Sequence, residues 1–430
     1  MSDPLSDPSR LPVHDIMCID CKSFYASTEA IKRAEYPTSA KIAVLSREES
    51  SGGLILAASP YSKQNYGVKL GTRRFELRDD MDLKLVEPHM KDYIKLNYRI
   101  NQIYRQFTDD AHWFPYSIDE SFIDVSGSHQ LFGNNQQIAR QIQKRVFDQT
   151  GIITTVGIGQ NPLLAKLALD NAAKEQAPWI AEWTYDQVPQ TIWQIPKITA
   201  MWGIGHRTAK SLALMGIYSV ADLAHAELKQ LKKHFGVLGE QLYYDAWGID
   251  YSTLTKRYVP RAASKGYGNS QILMRDYIKP VDLQVVLEEV TDQVATRLRN
   301  NHVVTELISL HIGFADVDKS NRTHFSAQMH VEATNDTKQL TSAIWYLLST
   351  KWDGSPVRQV GVRCAKISTQ RMTQFSLFED PEVTLHRQQL SITIDRIRKR
   401  FGYKALVRAS SLTPGGTAIE RSGLVGGHHA

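Results

Sequence analysis

Cysteine is scarce in this chain: 430 residues hold three, Cys18, Cys21 and Cys364. A structural zinc site usually takes four Cys or His ligands in two paired clusters, and no second pair accompanies Cys18 and Cys21. Long apolar runs are also missing, and none approaches the roughly 18 residues that a membrane helix needs. The opening "MSDPLSDPSRLPV" is polar and punctuated by proline, unlike a basic-then-apolar leader. A cytosolic protein with no membrane partner is therefore expected. Nor does one sign of charge dominate: 51 Lys+Arg against 45 Asp+Glu leaves +6, which only hints at a polyanionic partner. Hydrophobic residues make up 42%, an ordinary globular share, and the length allows two to four domains.

What basic excess exists is clustered. "TKRYVPRAASKGYGNSQILMR" (255 to 275) carries five Lys or Arg and "DRIRKRFGYKALVR" (395 to 408) carries six. Along the first ~175 residues, short apolar runs alternate with helical periodicity. "HDIMCID", "SAKIAVLS", "GGLILAAS" and "IITTVGIG" read as strands, and "HWFPYSIDESFIDVSG" as two strands around Asp119-Glu120. Residues 89 to 110 carry Tyr93, Leu96, Ile100, Ile103, Tyr104 and Phe107 at helical spacing. Asn161 and Pro162 look like the N-cap and first position of another helix. The next segment, to about 250, is helical with short loops. Beyond the basic linker, strand-like "ELISLHIGF" and "THFSAQMHV" with helices at 280 to 299 and 336 to 350 indicate a separate α+β domain.

Carboxylates sit at strand ends or turns in two places, Asp20 and the pair Asp119-Glu120. Adjacent strands could join them, and three such groups suit two hard, oxygen-seeking Mg²⁺ ions that clamp a phosphoryl displacement. A polar hairpin turn is the plain alternative for Asp119-Glu120. The Cys-x-x-Cys spacing at a strand end also fits a redox pair, which would require an exposed thiol of lowered pKa. Cys18, inside the apolar "DIMCI", reads instead as a small buried hydrophobe.

"DCKSFYAS" after a buried strand, "YSIDESFIDVS" about 100 residues later, and then "VGIGQNPLLAKLALDNAAK" together resemble the Y-family DNA polymerases, in their bacterial UmuC-like branch. The resemblance runs from about 14 to 410. It implies a multidomain α+β right hand: palm over 1–31 and 87–175, fingers over 32–86, a helix-hairpin-helix thumb over 176–255, linker and little finger over 256–370, and a tail over 371–430. It implies that Asp20, Asp119 and Glu120 are catalytic and bind two Mg²⁺, with the Cys21 main chain as a further ligand, and that Asp124 is structural. Phe24 and Tyr25 match the aromatic pair under the incoming sugar, Tyr25 being the gate that rejects a 2′-hydroxyl by steric clash. Lys166 and Tyr61 match triphosphate-binding positions. The basic side chain of the fingers pattern is Gln64 here, leaving its part to Lys63 or to Lys69, Arg73 or Arg74.

The same resemblance assigns DNA contacts. "MWGIGHRTAKSLALMGIYSVADL" has the hairpin shape, with Gly203, Gly205 and Arg207 facing a phosphate. Lys256, Arg257 and Lys265, with Arg261 and Arg275, are candidates for phosphate contacts of the little finger. "QFSLFED" spaces Gln374, Leu377 and Phe378 like the peptide that docks on the sliding clamp. The expected partners are thus primer–template DNA, dNTP, the clamp, and accessory subunits such as a UmuD-like protein. The expected activity is error-prone synthesis past damaged template bases. A non-catalytic scaffold on the same frame, or a nucleotide cyclase on a similar palm, are the rival readings.

Overall fold

The computed structural model describes residues 4–5, 11–46, 53–256, 266–369, 380–425 and 428–429. The chain divides into two compact units at about residue 258. Among the described residues no helix is long and apolar enough to cross a membrane.

The first unit runs through β1 (Ile16–Cys21), α1 (Phe24–Lys32), β2 (Ile42–Leu45), β3 (Ile55–Ala58), α2 (Pro60–Tyr66), β4 (Lys84–Val86), α3 (Met90–Tyr104), β5 (Trp113–Pro115), β6 (Glu120–Asp124), α4 (His129–Phe132), α5 (Asn135–Thr150), β7 (Thr154–Gly159), α6 (Pro162–Ala168) and β8 (Ile180–Trp183). The helices α7 (His206–Ala213), α8 (Val220–Ala224), α9 (Leu228–Phe235) and α10 (Val237–Ala246) follow. Five strands form one sheet in the order β5-β6-β1-β7-β8, with β1 antiparallel to both neighbours. β1, β6 and β7 are buried along almost their whole length, so none shows the in-out alternation of a half-exposed strand. The strands β2, β3 and β4 form a separate small sheet in the order β3-β2-β4.

Two glycines set the depth of α6. A Cβ on Gly157 would lie 2.1 Å from the Ala165 carbonyl oxygen, and one on Gly159 would lie 2.4 Å from the Ala165 nitrogen. The helix backbone therefore rests directly on β7, which lowers Lys166 to the sheet. Asn161 fixes its start, accepting from the Leu164 N–H at 2.8 Å and donating to the Gly248 carbonyl and the Tyr185 hydroxyl. Pairing of β8 in parallel with β7 carries this sheet past residue 175, where the sequence reading ended it. A single short strand of four residues has too little periodicity to announce itself.

The second unit holds β9 (Tyr267–Tyr277), α11 (Pro280–Asn300), β10 (Val303–Phe314), β11 (His324–Thr334), α12 (Thr337–Lys351), β12 (Val357–Thr369) and α13 (Pro381–Phe401). Its sheet, β11-β10-β12-β9, is antiparallel throughout, and α11 and α12 pack their apolar faces, including Leu283, Val290, Leu340 and Ile344, against Ile308, Leu310 and Val360. The sequence reading left everything past residue 371 as a tail, but its described part is folded. Arg299–Asp395 (2.6 Å), Arg387–Asp336 (2.6 Å) and Arg398–Asp292 (2.7 Å) tie α13 to α11 and to the start of α12. Further on, Glu289 accepts from the Thr417 and Ala418 N–H groups. A polar, ion-paired seam of this kind carries no hydrophobic stripe, which is why the segment looked like a solvated tail.

Candidate active site

Antiparallel register joins carboxylates that lie far apart in sequence. Asp20 stands opposite Glu120 across β1 and β6, and the Cys21 N–H donates to the Asp119 carbonyl at 2.8 Å. Ser117 shapes the turn before β6: its hydroxyl donates to Asp119 Oδ1 at 2.6 Å and accepts from the Glu120 N–H at 3.1 Å. Burial pushes the Asp20 carboxyl up to about 6, with Lys174 pulling it down and the charges of Asp119 and Glu120 pushing it further up. Three acidic groups thus share one sheet end.

Lysines answer that charge. Lys166 Nζ lies 2.7 Å from Glu120 Oε2, and the Cys18 thiol donates to Glu120 Oε1 at 3.2 Å. Lys174 Nζ lies 3.4 Å from Asp20 Oδ2 and 2.9 Å from Asp170, which also pairs with Lys166. Each carboxylate is turned to a protein partner, so among the described residues no three acidic, His or Cys side chains converge into a metal-binding cluster. Lys63 reaches from α2 to the Ser23 hydroxyl at 2.9 Å. Burial lowers its ammonium, Asp20 raises it, and Lys22 and Lys174 lower it.

Aromatic packing flanks the acids. Phe24 is buried, as a core residue would be. Tyr25 stacks on Tyr93 with centroids 4.4 Å apart, and Tyr93 donates its hydroxyl to the buried Glu29 at 3.0 Å. Burial raises the Tyr25 phenol, and the charge of Asp119 adds to the rise.

Other expected residues fall elsewhere. The Tyr61 ring packs with Tyr66 and Lys41 rather than with the lysines around Asp20, and Gln64 is exposed. Cys18 and Cys21 are free, buried thiols pushed up by burial, the opposite of a reactive redox pair. Asp124 sits at the far end of β6, where it accepts from the Ser126 N–H and hydroxyl. Gly203 (φ +88°) and Gly205 are exposed at a tight turn before α7, Arg207 is exposed in its first turn, and Lys256 is exposed. Arg257, Arg261, Lys265, Gln374, Leu377 and Phe378 lie outside the described residues. Sequence reasoning missed Tyr93 as a partner of Tyr25, Cys18 as a donor to Glu120, and Lys22. Tyr93 showed only its helical spacing, and Lys22 stood in plain view inside the motif "DCKSFYAS".

Comparison with known proteins now bears on this arrangement. Residues 19–170 match the impB/mucB/samB family profile, and residues 264–377 match the C-terminal domain of the same family. The chain belongs to the impB/mucB/samB family. Residues 199–250 of this family member match the thumb domain of DNA polymerase iota. It is 38% identical to UvrX of Bacillus subtilis strain 168, a protein named for UV-damage repair, over 98% of this chain and 99% of that one. It is 36% identical to DNA polymerase IV 2 of the same organism (96% and 98%), and 32% identical to DNA polymerase IV of Pelotomaculum thermopropionicum (95% and 98%). A solved Y-family DNA polymerase chimera of Dbh and Dpo4 shares the fold, with TM-score 0.64 at 20% identity, over 83% of this chain and 99% of that one. The impB/mucB/samB chain is a DNA-directed DNA polymerase.

Proposed function

We propose that this polymerase works in DNA-damage tolerance, adding dNTPs to a primer 3′-hydroxyl by two-metal nucleotidyl transfer and doing so, with errors, past damaged template bases. The observation that carries the reading is the meeting of Asp20, Asp119 and Glu120 at one sheet end, beside the stacked ring of Tyr25. The donor set, oxygen-only carboxylates brought to one end of paired strands, is of the kind a hard divalent cation takes, with Lys166 and Lys174 holding Glu120 and Asp20 in its place here. Asp20, Asp119, Glu120 and the Cys21 carbonyl would hold two Mg²⁺, which when bound activate the attacking hydroxyl and offset charge on the leaving group.

The chain's own groups do the rest. Lys166, at the mouth of the same sheet end, offers its ammonium to the triphosphate. Tyr25 closes the space under the sugar. The exposed Gly203 and Gly205 of the turn before α7 and the Arg207 side chain suit a duplex phosphate. In the second unit the open sheet face presents Asn269, Ser270, His311, Ser326, Gln328 and Arg363, small and polar groups suited to gripping DNA without reading sequence. The palm, fingers, thumb, little finger and tail divisions are proposed on the same footing. Gln374, Leu377 and Phe378 are proposed as the docking peptide for the sliding clamp, and a UmuD-like subunit as a further partner.

Primer extension with Mg²⁺ and dNTPs, on plain and abasic-site templates, tests the reading. Extension through the abasic site is expected. Tight primer–template binding without any extension would favour a scaffold instead.

A further inference from the structure

Gln64 leaves the fingers without the basic side chain that their pattern carries, and it is exposed to solvent. Three ammonium groups from three separate elements are held around Asp20 and the turn that follows it. Lys22 belongs to the turn between β1 and α1, two residues after Asp20. Its Nζ donates to the Lys174 carbonyl at 3.3 Å and lies 5.3 Å over the ring of Trp179, so its head is held from two sides. Lys174, just past α6, brings its own Nζ to 3.4 Å from Asp20. Lys63 crosses from α2 to the hydroxyl of Ser23, a residue in the left-handed region (φ +50°) at that same turn.

Like charges do not gather without a reason. Lys174 lies 3.4 Å from Asp20 and 2.9 Å from Asp170, and against the lowering by burial the charge of Asp20 favours the ammonium form of Lys22, Lys63 and Lys174 alike. Asp20 is common to all three, and it is the group the proposed reading gives to a cation. With Asp20 so engaged, the lysines would be left with too little negative charge, and a compact ammonium suits a phosphate oxygen.

The geometry points to Lys22 and Lys174 as substrate-binding residues that join Lys63 in a cradle for the dNTP triphosphate and restore the charge missing at Gln64. This rests on the reading of the carboxylate end as the nucleotidyl-transfer site. Lys22 lies beside the carboxylates rather than on the fingers, so the cradle holds the phosphates from the palm side.

The test uses the full chain with Lys22→Met, Lys174→Met and Lys22→Arg, and with Lys144→Met on α5 as control. Two quantities are measured: KM and kcat for single-nucleotide incorporation, and calorimetric binding of magnesium tripolyphosphate without DNA. Lys22→Met and Lys174→Met should each raise KM about tenfold or more while changing kcat far less, with a matching loss of tripolyphosphate affinity. Lys22→Arg should recover most of both, and Lys144→Met should match wild type. Unchanged KM and tripolyphosphate affinity in Lys22→Met would overturn the cradle, as would a fall in kcat alone that arginine does not rescue. If wild type fails to extend primers yet binds tripolyphosphate through Lys22, the polymerase reading fails and the cradle stands.

Discussion

The ring of Tyr25 lies on that of Tyr93, 4.4 Å between centroids and 15° from parallel, and the Tyr93 hydroxyl is anchored on Glu29. Arg33 (2.6 Å) and His89 (2.8 Å) hold that carboxylate in turn. A flat aromatic stack fixes the outer ring at low entropic cost. Tyr25→Ala should therefore lower discrimination against ribonucleotides by about a hundredfold, near 3 kcal/mol, with dNTP incorporation much less affected. Tyr93→Leu should relax it partly. Competition between dNTP and rNTP in primer extension reads both. Unchanged discrimination in Tyr25→Ala would remove Tyr25 from the gate.

Lys166 reaches Glu120 only because Gly157 and Gly159 let α6 rest on β7. Removing its charge should cost about a hundredfold or more in kcat/KM, as expected for a group aimed at developing charge. Lys166→Met measured against Lys166→Arg, at matched DNA affinity, checks this. Gly157→Ala should lose activity too, and here thermal unfolding should fall with it, since the added Cβ meets helix backbone.

Asp245 offers a pH prediction away from the acidic centre. Burial raises its carboxyl to about 7, and the neighbouring Asp250 adds to the rise. A raised folded pKa means that its contribution to stability is complete below about pH 4 and is lost as pH climbs to about 7. Asp245→Asn should match wild type near pH 4 and melt higher above pH 7, each kcal/mol regained raising Tm by about 2–4 °C. Equal melting at pH 8 would refute this.

The seam under α13 should be sensitive to single changes. Arg299 and Asp395 are both largely buried, and Thr296 completes their contact. Asp395→Ala leaves a buried guanidinium unpaired and should destabilise the second unit by about 3–5 kcal/mol. The double change Arg299→Met with Asp395→Leu should recover much of that. Amide hydrogen exchange across residues 280–300 and 337–351 reports the local stability.

Much of this was legible because apolar runs and acids announce themselves. The strand before Asp20, the two strands around Asp119-Glu120 and the capped start of α6 at Asn161 all stand as read. β9 and β12 were not foreseen, since exposed polar residues interrupt both. α13 hid because its buried contacts are arginine and aspartate, and β8 because it is too short to show a period. Within the site, residue types could not reveal orientation: Lys63 turns to the palm while Tyr61, two positions earlier on the same helix, turns to Lys41. Lys22 stood inside the motif, but only Trp179 and the Lys174 carbonyl show where its head goes.

The central claim is that Asp20, Asp119 and Glu120 form the reacting centre. Single-turnover incorporation of one dNTP by Glu120→Gln, with primer–template affinity measured alongside, tests it most directly. A loss of about a hundredfold or more in rate with DNA binding held near wild type is the result expected. Incorporation at the wild-type rate would contradict it.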